Sequence, residues 1–184
     1  PNNSGSNFNA FTAEDGTVIP LQLLPPATSY GPCGDPWGRF TAVVELPPSG
    51  ELYLAYSKAT LNLPEMRFER QRELLGKLSF AVFHDESRTW GFGLNEFRVR
   101  EGEPELFSVR EFLNGSVCSI LRAEYRYKNS SIKMDLTAFA DLPEIRINLQ
   151  LDWHEKSCCL KLLLKHGLNG SDFYTGQSAV VLKR

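Results

Sequence analysis

Histidine is scarce in this sequence, and two of its three occurrences, His84, His154 and His166, stand beside carboxylates. His84 opens the densest polar cluster in the chain, running Asp85, Glu86, Ser87, Arg88, Thr89, Trp90, Gly91, Phe92, Gly93. A loop of that composition suits a sugar. Asp85 and Arg88 supply the acceptors and donors that hydroxyls need, and Trp90 offers a plate for a ring face. The simpler role is a solvated turn with Trp90 and Phe92 packed inward. Asp85 and Glu86 do not make a glycosidase pair, because that chemistry needs two carboxyls roughly 5–10 Å apart, held by different elements across a sugar. Asp152 and His154 lie two residues apart, so on a strand they share a face. They could share a proton or begin a metal site, but no third ligand is evident, and a surface or interface hydrogen bond is the simpler role. Gly91-x-Gly93 lacks the strand-then-helix context of a dinucleotide fingerprint. No serine nucleophile elbow, Walker loop or paired-histidine motif occurs.

The bulk properties exclude several classes. With 184 residues, 42% hydrophobic and 23% charged, the chain has the composition of an ordinary globular protein able to bury a core. A net charge of −2, with Lys and Arg dispersed, offers no stripe for nucleic acid. No apolar run approaches the roughly 20 residues of a membrane-spanning helix. Residues 1–9 are polar, read as a tail or linker, and lack a signal-peptide layout. The chain opens on Pro1 rather than Met, so a trimmed segment is expected. The four cysteines, Cys33, Cys118, Cys158 and Cys159, contain no C-x-x-C pair and are expected to be free thiols, with no zinc site among them. Asn-x-Ser sequons stand at Asn2, Asn114, Asn129 and Asn169. Asn and Ser favour turns for their own reasons, so these sequons do not by themselves imply glycosylation.

The elements that must position these residues read as strands. Glu144 to His154 is the clearest: Ile145, Ile147, Leu149, Leu151 and Trp153 alternate with polar residues, a period of two that places them on one face. Leu160, Leu162 and Leu164 repeat the pattern within 158–165. A one-residue slip would turn the first set into water at roughly 1.5–3 kcal/mol per side chain, which pins the register. Val117 to Lys128 and Ser131 to Ala140 flank Asn129-Ser130 and predict a hairpin. Further strands are predicted over 40–46, 51–56, 78–83 and 105–113, the last ended by the turn signal Asn114-Gly115. Only 65–75 has helical character, and it is short and uncapped. The division is a small β-region over 10–60 and a main β-sandwich over 61–184. Closely spaced strands with Pro/Gly turns make this an all-β, antiparallel sandwich or barrel.

Two stretches carry a resemblance. Asp152-Trp153-His154-Glu155-Lys156, followed by Leu160-Lys161-Leu162, resembles the D-W-H-E-(K/R) strand and its partner in the C-terminal β-domain of glycoside hydrolase family 38 α-mannosidases. Asp85 to Gly93 is similar to the D-x-S-D-T-W-G-x-G stretch of bacterial members. Arg122 to Tyr127 and Asp135 to Thr137 match the strand pair between them. Asp15-Gly16, Val18 to Gln22 and Val44 to Pro48 are similar to the small β-region that precedes them. There are departures. Arg88 stands where an acidic residue is usual, Ser157-Cys158-Cys159 replaces a basic, apolar run, and the stretch from Tyr56 to Leu78 is short for the family. A sandwich short of a strand there would expose an edge.

The resemblance implies a galactose mutarotase-like supersandwich that completes a retaining α-mannosidase. It implies a zinc ion and an aspartate nucleophile in an N-terminal catalytic domain, outside this segment. It therefore implies no catalytic residue, metal ligand or cofactor here. The expected partners are that catalytic domain and a mannoside, with neither nucleic acid nor membrane, and Asp85, Arg88 and Trp90 are the substrate-binding candidates. The alternatives are a stand-alone carbohydrate-binding module centred on Trp90 and a purely structural or interaction sandwich.

Overall fold

A computed structural model describes residues 8–24, 39–46, 50–86, 98–167, 174–177 and 180–183. The chain is all-β. Its N-terminal part holds β1 (Ala10–Ala13), β2 (Val18–Pro20), β3 (Gln22–Leu24), β4 (Arg39–Thr41) and β5 (Leu54–Ser57). Then come α1 (Glu69–Lys77), β6 (Leu78–His84), β7 (Arg100–Gly102), β8 (Glu105–Leu113), β9 (Cys118–Tyr127), β10 (Ser130–Phe139), β11 (Ile145–Asp152) and β12 (Cys158–Leu164). A terminal hairpin, β13 (Tyr174–Gln177) and β14 (Val180–Lys183), ends the described residues.

Two antiparallel sheets form the sandwich. One has the order β11-β10-β9-β8 and the other β12-β6-β7. Alternation dictates how they stack. Leu121, Ala123 and Tyr125 of β9 and Ile132, Met134 and Leu136 of β10 point inward and are buried with Leu78 and Phe80 of β6. The Phe80 and Tyr125 rings meet edge to face, with centroids 4.9 Å apart. The opposite face of the four-stranded sheet is polar. There Arg122 grips Asp135 through two hydrogen bonds of 2.7 Å and lies over the Phe112 ring at 3.6 Å.

The register of β11 against β10 pairs Ile145, Ile147, Leu149 and Leu151 with Ala138, Leu136, Met134 and Ile132, so the alternating set faces inward. Burial there is incomplete. Ile147 and Leu151 remain exposed, because three strands cannot cover the whole width of four.

Helix α1 forms where alternation stops, over Glu69-Arg70-Gln71-Arg72-Glu73-Leu74-Leu75, good helix formers without β-branching. No side chain caps its start; Glu69 in the first turn and Lys77 in the last suit the helix dipole. It runs later than the predicted 65–75, ending only where Leu78 turns extended to enter β6. Its buried face carries Gln71, whose amide donates to Ser119 Oγ at 2.7 Å, alongside Leu74 and Leu75 on the core.

The strand predicted over 40–46 shrinks to Arg39–Thr41, which pairs only with β3, and Val44 and Leu46 are exposed. The strand predicted over 51–56 is Leu54–Ser57, paired with β1, which pairs on its other side with β2. The hairpin turn is Lys128-Asn129 rather than Asn129-Ser130, since Ser130 already pairs with Tyr127. Lys128 takes the positive φ, 48°, that this tight reversal needs.

Gln22 fastens the N-terminal part to the sandwich. Its Oε1 accepts from the N–H groups of Val117 and Cys118, both at 2.9 Å, and its Nε2 donates to the Cys118 carbonyl at 2.8 Å. Gly115 makes room for it, because a Cβ there would lie 2.2 Å from the Gln22 amide. Gln22→Ala leaves two N–H groups of nearly buried residues unpaired. We predict a loss of about 1–3 kcal/mol in urea unfolding, with Gly115→Ala in the same direction.

Candidate functional site

One end of the sandwich gathers most of the residues that the sequence singles out. Three pieces meet there: the end of β6 with β7, the β9–β10 turn, and the connection from β11 to β12. Strand pairing does the positioning. His84 lies opposite Cys158 across β6 and β12, and the Asp85 N–H continues that ladder to the Ser157 carbonyl at 2.8 Å. The His84 N–H donates to the Val99 carbonyl at 2.8 Å, which brings the start of β7 alongside.

The Asp152-to-Lys156 segment is spent on architecture. Glu155 Oε1 accepts from the Asn129 N–H and the Ser130 hydroxyl, both at 3.0 Å, and the His154 N–H donates to Ser130 Oγ at 2.9 Å. This ties the β9–β10 turn to the β11–β12 connection. Trp153 stacks on Tyr127 with centroids 5.8 Å apart and planes 6° from parallel. Gly102 lets β7 approach that stack, since a Cβ there would come within 3.1 Å of the Tyr127 ring. His154 and Asp152 do meet, Nε2 to Oδ1 at 3.0 Å, but both are well exposed, so the contact is a surface pair worth little to stability.

The chemistry of this end centres on His84. Its Nδ1 is 2.7 Å from Glu101 Oε1 and its Nε2 is 2.8 Å from Glu86 Oε1. A neutral imidazole has one N–H and can donate to only one of these carboxylates, whereas the imidazolium donates to both. The Glu86 contact, and then that of Glu101, raises the His84 pKa above its ordinary 6.5. The Cys158 thiol donates to Glu101 Oε2 at 3.1 Å. That bond, followed by the one from His84, holds Glu101 below the usual carboxylate range. Burial, reinforced by Glu101, pushes the Cys158 thiol up to about 11. It therefore stays protonated at neutral pH, the opposite of an activated nucleophile. Lys128 stands close enough for its charge to act on both Glu101 and Cys158.

Of the three predicted sugar-binding residues, Asp85 is half-buried at this end, while Arg88 and Trp90 lie outside the described residues. Glu101, Lys128 and Cys158 were not singled out as a group in the sequence. They sit on three separate elements: the pairing of β6 with β7 and β12 brings Glu101 and Cys158 to His84, and the β9–β10 turn brings Lys128. Among the described residues, no group of three or more His, Cys, Asp or Glu side chains could hold a metal ion. Cys118, Cys158 and Cys159 are free thiols, as expected, and Cys33 lies outside the described residues. At the other end of the sandwich, a cavity of about 450 Å³ opens between the N-terminal part and α1, with Pro20, Val43, Leu63, Met66, Arg70 and Val117 in its walls. Nothing in the sequence points to it, because its walls come from segments scattered along the chain.

Comparison with known proteins finds no matching family model, no matching curated protein and no matching solved structure.

The His84 geometry predicts a titration. Its folded pKa lies above the ordinary 6.5, so its contribution to stability is full below 6.5 and is lost as pH rises through the raised value. An NMR titration of the His84 ring should give a midpoint above 6.5, lowered by Glu86→Gln and by Glu101→Gln. A wild-type midpoint at or below 6.5 would contradict the two-carboxylate arrangement.

Proposed function

We propose that this chain is the C-terminal β-domain of an α-mannosidase-like glycoside hydrolase, without turnover of its own, which packs on the catalytic domain and helps shape the carbohydrate site. The observation that carries the reading is the meeting of two stretches far apart in sequence. Asp85 and Glu86, which open one of these stretches, lie at the same end of the sandwich as the segment Asp152 to Lys156, and the Asp85 N–H bonds to the carbonyl of Ser157, the residue after that segment; the two stretches resemble two motifs of one family. The use of Glu155 and Trp153 in holding that end together suits a family marker that builds the domain rather than reacts.

In this reading the sandwich is galactose mutarotase-like, and zinc and the nucleophile belong to the preceding catalytic domain. The end that carries His84 and Asp85 presents carboxylates and a cation, the groups that sugar hydroxyls require, and Arg88 and Trp90 follow immediately in sequence. Exposed apolar side chains on β8, Leu106, Phe107 and Val109, suit packing against another domain.

Two measurements test this reading. The coding sequence upstream of Pro1 should continue into a catalytic domain bearing a zinc site; an upstream sequence with no such domain would sink the proposal. The isolated chain, given an aryl α-mannoside and zinc, should show no turnover above the blank; robust turnover would overturn its accessory role.

A further inference from the structure

Among the described residues the three-stranded sheet ends on β12, an edge guarded against pairing only by the charge of Lys161 on its outer face. The other edge of the same sheet, β7, is three residues long and its pairing with β6 is broken by a bulge. Edge strand β8 is also interrupted, by register shifts at Leu106/Ser108 and Glu111/Leu113. Strand β12 has neither. It pairs with β6 without a shift from Cys158 to Leu164, contains no proline and carries no charge on its inner face.

The direction of its hydrogen bonds follows from two contacts. The Lys165 N–H donates to the Lys77 carbonyl and the Asp85 N–H to the Ser157 carbonyl, each at 2.8 Å. Both pairs fit the β6–β12 register, so the odd-numbered residues 157 to 165 turn their backbone groups toward β6. The N–H and C=O groups of Leu160, Leu162 and Leu164 therefore point to the outer edge. The same three leucines lie opposite Val82, Phe80 and Leu78, core residues of β6, so their side chains face the interior. Yet Leu162 is 38% and Leu164 51% exposed. Across the sandwich, Ile147 and Leu151 of β11 are 37% and 54% exposed on their inner face. Among the described residues, this side of the sandwich leaves apolar groups exposed and the outer backbone groups of Leu160, Leu162 and Leu164 without a strand partner, the Leu160 carbonyl accepting only from the Cys159 thiol at 3.9 Å.

We propose that β12 pairs antiparallel with β12 of a second copy of this chain, about a two-fold axis through Leu162. The pattern is self-complementary. Centred on Leu162, the pairing sets Leu160 opposite Leu164 of the partner, and Leu162 opposite its own copy, so every outward-facing backbone group on these residues meets a counterpart. All six leucines then share one inner face. Lys161 falls opposite Leu163 and Lys165 opposite Cys159. A shift of the axis to residue 161 would instead set Lys161 directly against Lys161, and a shift to residue 163 would set Lys161 against Lys165, so like-charge repulsion disfavours both neighbouring registers. The two three-stranded sheets become one of six strands, extending beneath the side where β11 leaves Ile147 and Leu151 bare. This inference does not depend on the family reading.

The test is sedimentation equilibrium of the full chain across a concentration series, with Leu162→Pro as the variant. The Leu162 N–H does not bond to β6, so proline there removes no internal hydrogen bond while blocking the edge. Wild type should move from 20.8 kDa toward twice that mass as concentration rises, and Leu162→Pro should stay monomeric with an unchanged far-ultraviolet spectrum. Should the proline variant fail to fold, Leu162→Lys, which sets two ammonium groups together on the axis, takes its place with the same expectation. A wild type that stays monomeric at its highest soluble concentration overturns the proposal, and so does a dimer that survives a folded Leu162 variant.

Discussion

Everything in this structure depends on one apolar layer, in which Leu121, Tyr125, Ile132 and Met134 of the β9–β10 hairpin press against Leu78 and Phe80 of β6. These are large side chains, nearly all hidden from solvent, and at roughly 1.5–3 kcal/mol each they form the main driving force that the described residues reveal. The layer is narrow. It seals the middle strands and leaves the flanks, β8, β11 and β12, with apolar groups in water. The contrast between a closed centre and open margins explains why the chain reads both as a domain with its own core and as a body with surfaces suited to partners.

The same layer positions the chemical end of the molecule. Holding β6 beneath β9 and β10 fixes where β6 terminates, and its last residue, His84, emerges beside β7 and β12. The β9–β10 turn arrives at the same place because the hairpin register leaves Lys128 and Asn129 as its loop. Glu155 then ties that loop to the β11–β12 connection. The electrostatics follow from the pairing: one imidazole ring between two carboxylates that raise its pKa, one of which also accepts from a thiol that it helps keep protonated. Such a cluster can bind polar groups and respond to pH, and it has no activated nucleophile.

Much of the sandwich was legible in the sequence because its strands alternate. Strand β8 occupies the predicted residues 105–113, and β6, β9, β10, β11 and β12 lie within about a residue or two of their predicted ends. What was not legible depends on partners distant in sequence. The short strands β1, β2 and β3 hold three or four residues each, too few to display a period, and exist because β1 finds β2 and β5 while β3 finds β4. The 40–46 segment has apolar residues but finds a partner only as far as Thr41. Helix α1 has little apolar periodicity, since Gln71 takes a core position through its bond to Ser119. The hairpin turn shifted by one residue because Ser130, by composition a turn residue, is held in the strand by Glu155 and the His154 N–H. Asp85 was legible as part of a polar cluster, whereas Glu101 and Cys158 join it only through pairing across the sheet and Lys128 only through the stacking that brings the β9–β10 turn to the same end.

The two sheets meet face to face through the central strands, β6 against β9 and β10. A double-mutant cycle on Phe80 and Tyr125, with each replaced by alanine singly and together, measures that contact directly. Two buried rings in edge-to-face contact at 4.9 Å predict a coupling of about 0.5–1.5 kcal/mol beyond the sum of the single effects. Simple additivity of the two substitutions would mean that β6 and β9 do not touch, and would contradict the stacking of the sandwich.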